Sequence, residues 1–124
     1  THESSWILKT TRRIFENYAG ADCRVAYLAT ADAAGTKQFL GPLADEFLAF
    51  ADPDRLVVKS LQLEVLPAFV VVRQDASLLG AAEGWVPEEW RALCEDLTRL
   101  TSWSRPNIPA VGDPNAYPGT PALG

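Results

Sequence analysis

The sequence predicts a single α/β domain, and three observations carry that prediction. Ala68-Phe69-Val70-Val71-Val72 is apolar on both faces and rich in β-branched side chains, which places it inside a sheet. Near both ends, apolar residues instead recur at helical spacing: Ile7, Ile14, Phe15 and Tyr18, then Trp90, Leu93, Cys94, Leu97 and Leu100. Between them, Gly-, Pro- and Asp-containing turns cut the chain into alternating elements.

In chain order, the first periodic set predicts a helix over 6–19, closed by Gly20. Residues 24–30 (RVAYLAT) read as a buried strand and 31–36 as a loop. Phe39, Leu40, Leu43, Phe47, Leu48 and Phe50 mark a helix over 37–51, with a kink at Gly41-Pro42. Asp52-Pro53-Asp54 is a turn, and Leu56–Lys59 reads as a strand. The buried strand from Ala68 and a second strand over 77–82 form a hairpin about Gln74-Asp75-Ala76. A last helix over 87–102 opens on Pro87, with Glu88 and Glu89 complementing its dipole. Pro67 stands at the first position of the central strand, where a missing N–H does least harm to the ladder.

Composition fits an ordinary globular domain. The 124 residues are 48% hydrophobic and 22% charged, and the net charge of −5 argues against nucleic acid or an anionic membrane surface as partner. No apolar run reaches membrane-spanning length. Cys23 and Cys94 share no motif, so two free thiols in a reducing, cytoplasmic setting are expected. After the domain of residues 1–103 comes a tail, 104–124, carrying Pro106, Pro109, Pro114, Pro118 and Pro121 without periodicity. Its Ile108, Val111 and Tyr117 are spaced as anchors, and the tail is expected to dock on its own domain or on a neighbouring subunit, covering Trp85 and Trp103.

This order of elements resembles the thioredoxin-like fold. A proline begins the first hairpin strand in both, "PAFVVVRQDASLLGAAEGW" is similar to the family's hairpin, and Gly84 stands where the family has a glycine before its last helix. "VPEEWRALCEDL" looks like that helix, and "GPLADEFLAF" is similar to the stretch after the kinking proline of the family's active-site helix. The resemblance implies a three-layer sandwich: a mixed sheet of about four strands at 24–30, 55–60, 68–73 and 77–82, with helices on both faces. It also implies a cis bond between Leu66 and Pro67, a device that holds a tight turn in shape.

Aligned on Pro42, the family's CxxC falls on Ala34-Gly35-Thr36-Lys37 and its buried acid on Leu28. Thiol–disulfide exchange needs an activated thiolate and a resolving partner, and neither is present at those positions. The resemblance therefore implies a redox-inactive relative: a protein- or peptide-binding or scaffold module with no cofactor. Leu66 and Pro67 with Gly35, Thr36 and Lys37 are its candidate binding residues. Two alternatives stand beside it, a thiol oxidoreductase acting through Cys23 and a structural homodimer.

Other residues carry less. Cys23 has no base beside it, Cys94 lies on an apolar helix face, and the single histidine, His2, sits at the terminus. Asp45/Glu46, Glu88/Glu89 and Glu95/Asp96 read as solvated helix faces, as does Arg12-Arg13. Thr36 with Lys37 reads as a helix N-cap in preference to an anion site.

Overall fold

The computed structural model describes residues 3–124, so His2 lies outside the described residues. A 3-10 turn over Glu3–Ile7 leads into α1, Leu8–Asn17. Ile7, Thr10, Ile14 and Tyr18 recur every three or four residues and are all buried, so one face of the segment points inward. Strand β1, Ala26–Ala29, is followed by α2, Ala33–Leu40, and α3, Leu43–Glu46. Gly41, at φ +57, ends α2 and Pro42 begins the next turn, so the expected kink is a break.

The chain then departs from the helix expected over 37–51. Phe47 is extended, and β2, Leu48–Ala51, pairs parallel with β1, Ala26 opposite Leu48 and Ala29 opposite Ala51. Leu48 and Phe50 point outward while Ala49 packs against Tyr27, a two-residue alternation that the helical spacing of Leu43 and Phe47 masks.

The strand expected over 55–60 is a helix, α4, Leu56–Ser60. Its cause is Asp52, whose buried carboxylate accepts the N–H groups of Leu56 (2.8 Å), Val57 (3.1 Å) and Val58 (3.3 Å). Three anchored donors fix a helical first turn and override the β preference of Leu56-Val57-Val58. Asp52→Ala is therefore expected to cost about 1–2 kcal/mol. Urea unfolding reads the loss, and Asp52→Asn should restore part of it; an unchanged midpoint for Asp52→Ala would contradict the capping role.

Beyond α4 lie β3, Val65–Leu66, then β4, Ala68–Val72, and β5, Leu78–Glu83. The bond between Leu66 and Pro67 is cis, as is Ile108–Pro109. β4 and β5 form the expected antiparallel hairpin, with a bulge between Val71 and Val72. At its turn the Asp75 carboxylate accepts both the N–H (2.9 Å) and the hydroxyl (2.5 Å) of Ser77. Those bonds hold the Asp75 carboxyl below its ordinary range. Val71 is buried, whereas Val72 is exposed at the strand's end.

Helix α5, Pro87–Thr101, matches its expected span and buries Trp90, Leu93, Cys94 and Leu97, while Leu100 stays exposed. The principal core joins α1, the hairpin and α5 around Ile14, Tyr18, Trp85, Trp90 and Cys94, and Ile108 of the tail belongs to it. Tyr27, Leu40 and Leu43 form a second cluster, and Val58, Leu63 and Ala122 a third. The protein is thus mixed α/β. Among the described residues its strands lie in three pairs: β1 with β2, β4 with β5, and β3 with a last short strand, β6, Thr120–Pro121. No helix among the described residues is long and apolar enough to cross a membrane.

Candidate functional site

The structure separates the expected binding residues into two groups. Leu66 and Pro67 line a cleft of about 1310 Å³ to which β1 and β4 also contribute. Tyr27, Leu28, Phe69 and Val71 are among its lining residues, as are Thr30 and Ala31. Gly35, Thr36 and Lys37 do not reach it. They lie within α2, whose N-cap is Asp32 and not Thr36: the Asp32 carboxylate accepts the Gly35 N–H at 2.7 Å. Thr36 is buried one turn in, its hydroxyl donating to the Ala31 carbonyl at 3.3 Å. Sequence reasoning placed the cap late because it began the helix at 37; an aspartate four residues before Thr36 is a stronger cap and starts the helix earlier.

The thiols are poorly suited to nucleophilic chemistry. Cys23 is half-buried against the principal core, and burial, with Asp22 beside it, raises its pKa. Cys94 has no exposed surface, and burial pushes its thiol up to about 11. A thiol held protonated near neutral pH is a weak nucleophile. Among the described residues, no group of three His, Cys, Asp or Glu side chains is placed to hold a metal ion.

What surrounds Leu66 is more informative. β3 pairs antiparallel with β6, Val65 opposite Pro121 and Leu66 opposite Thr120, and the Ala122 N–H donates to the Glu64 carbonyl at 2.8 Å. On its other side the Glu83 carboxylate accepts the N–H groups of Glu64 (2.5 Å) and Val65 (3.2 Å). Pro67 is buried, and its carbonyl accepts the Gly84 N–H at 2.8 Å. The backbone strip before Pro67 is therefore held between a carboxylate and the chain's own tail.

The tail reaches that strip by a series of anchors. Trp85 and Tyr117 exchange two backbone hydrogen bonds at 2.9 and 3.0 Å, and the Trp85 indole donates to the Pro114 carbonyl at 2.8 Å. Asp113 is the hub. Its carboxylate accepts the Thr10 hydroxyl (2.7 Å), the Arg13 guanidinium (2.8 Å) and the Ala110 N–H (2.6 Å). Arg13 also reaches the Asn107 carbonyl at 2.5 Å, so it is a tail anchor where a solvated face was expected. Arg12, by contrast, pairs with Glu16 and Glu46 at the surface.

Of the expected anchors, Ile108 is buried and Tyr117 packs edge-on to Trp6, their ring centroids 5.4 Å apart. Val111 corrects the expectation. It is fully exposed at a turn, because Asp113 and not Val111 fastens that bend. Trp103 is also left uncovered at 40% exposure, its indole donating to the Asn17 carbonyl at 2.6 Å. Sequence reasoning missed Asp113, Glu83, Gly119 and Ala122. The available signal was Pro118-Gly119-Thr120-Pro121, a glycine between two prolines in a tail expected to dock. No protein-family model matches the chain, and no curated protein or solved structure matches it either.

Proposed function

We propose that the chain is a thioredoxin-like domain that works without redox chemistry, as a non-catalytic protein- or peptide-binding module. The observation that carries the reading is the β3 strip, which already accepts an extended peptide in antiparallel pairing, that peptide being the tail. Main-chain pairing of this kind supplies affinity without any catalytic group. The thioredoxin-like assignment is supported by the order of elements: a parallel β1·β2 unit across α2 and α3, Pro67, an antiparallel hairpin and α5. In that assignment the β1·β2 and β4·β5 pairs are halves of one mixed sheet of four strands between helical layers. Ala34, Gly35, Thr36 and Lys37 occupy the former redox positions and supply no thiol.

The binding reading is tested in two arms. Insulin-disulfide reduction should be blank; turnover that Cys23→Ser abolishes would establish a thiol oxidoreductase instead. Extended proline-containing peptides, titrated at high concentration into isotope-labelled protein, should shift the amide signals of Val65 and Leu66. Shifts confined to other surfaces would contradict the strip as the binding site. A homodimer is the second reading, resting on Leu28, Leu48 and Phe50, which share one face of β1·β2 and are 40%, 51% and 54% exposed. Sedimentation equilibrium separates the two, and Phe50→Glu should dissociate a dimer built on that face.

A further inference from the structure

The tail does more than cover the β3 strip, because its fit there shows what the strip can accept. Gly119 has φ +85, and a Cβ placed on it would run into the Leu66 carbonyl. Directly opposite, Gly84 has φ +70, and a Cβ there would lie 2.6 Å from the Pro118 carbonyl oxygen. Two glycines thus let the tail backbone lie directly against the backbones of Leu66 and Gly84. Three residues on, Ala122 has no exposed surface and is packed with Val58 and Leu63 in the third cluster. A larger side chain would overpack that socket. At other positions the side chains are free of this constraint: Pro118, Pro121 and Leu123 are exposed.

We infer that the strip selects its peptide by size, taking an extended segment with glycine beside the Leu66 carbonyl and an alanine-sized residue three positions later, and that Tyr117–Ala122 is the resident example of this ligand. The inference rests on the peptide-binding reading above and specifies its ligand class. Prolines flanking the glycine suit such a ligand, since they restrict the free chain and so reduce the entropy lost on docking. A partner presenting this pattern binds by displacing the tail. The tether sets a high threshold, because even a short flexible connection gives an effective concentration on the order of millimolar, and this one is itself anchored at Ile108 and Asp113.

The test exploits the bend at Val111–Gly112, which is fully exposed at Val111 and has open space around Gly112. A protease site placed there in the full chain is cut, and a fluorescent peptide of residues 112–124 is added. Anisotropy should report exchange of the peptide with the resident fragment. Gly119→Val or Ala122→Phe in the peptide should weaken binding about ten-fold or more, while Leu123→Ala should stay within about two-fold. Equal binding by all four peptides overturns the size rule and leaves peptide binding standing. No exchange by any peptide, with the circular dichroism of the cut chain unchanged, overturns both. If cutting unfolds the chain, the same peptides are titrated against the intact protein at concentrations that compete with the tether. The amide signals of Val65 and Leu66 should then give the same ranking, and an absence of ranking overturns the size rule.

Discussion

Replacing Trp85 with alanine is expected to lower the unfolding free energy by about 3–5 kcal/mol, the usual cost of emptying a buried tryptophan site. Trp85 has no exposed surface, stands edge-on to Trp90 with ring centroids 5.1 Å apart, and donates its indole N–H to the Pro114 carbonyl. The substitution opens a cavity between the hairpin and α5, and it also removes the donor that holds the tail at Pro114. For a domain whose total stability is about 5–15 kcal/mol, such a loss is a large share of the whole. Urea unfolding followed by circular dichroism measures it. Trp85→Phe, which keeps much of the volume and loses the indole donor, should fall between. A loss below about 1 kcal/mol for Trp85→Ala would mean that the site collapses around the smaller side chain.

The second large effect is alkaline destabilisation centred on Cys94. Burial raises its thiol from an ordinary value of 9.0 to about 11 in the folded protein. Between those values the unfolded chain has lost the proton and the folded chain keeps it, so unfolding releases a proton. Stability from this group is therefore complete below pH 9 and falls as pH rises towards 11, by up to roughly 2–3 kcal/mol. Tyr18, whose hydroxyl donates to the Cys94 carbonyl at 3.1 Å, is raised by burial as well and extends the decline to higher pH. Unfolding midpoints measured from pH 8 to 11 should fall less steeply for Cys94→Ala than for the parent chain. Parallel slopes would show that Cys94 does not carry the effect.

The elements legible in the sequence are those whose local pattern and tertiary environment agree. The α5 segment has its proline and acidic residues at the start and one apolar stripe, and four of those stripe residues are buried. The Ala68–Val72 strand and its hairpin follow from a run apolar on both faces and a turn at Asp75. The Leu66–Pro67 bond is cis, as expected, and Gly84 has φ +70 just before α5. Two segments were not legible because their local pattern supports either state. Leu43, Phe47, Leu48 and Phe50 fit helical spacing, but Gly41 ends the helix and the pairing with β1 extends the chain from Phe47. Leu56-Val57-Val58 has strand composition, yet the Asp52 carboxylate, several residues upstream, organises it as a helix. Of the expected binding residues, Leu66 and Pro67 line the cleft, but nothing local reveals that Gly35 and Thr36 bond back to Asp32 and Ala31 within α2. The occupation of the strip by Thr120 and Pro121 is a contact between distant parts of the chain, which no periodicity encodes.

Occupation of the β3 strip by the tail is most directly read by residue-resolved amide hydrogen exchange on the intact chain. The Ala122 N–H is bonded to the Glu64 carbonyl and the Tyr117 N–H to the Trp85 carbonyl, so both amides should exchange far more slowly than in an unstructured peptide. The Val111 amide, at a fully exposed position, provides the internal comparison. Gly119→Val should remove the protection at Ala122 while leaving the amides in the middle of α5 protected. Exchange at Tyr117 and Ala122 as fast as in a free peptide would contradict the docked tail and, with it, the strip's resident ligand.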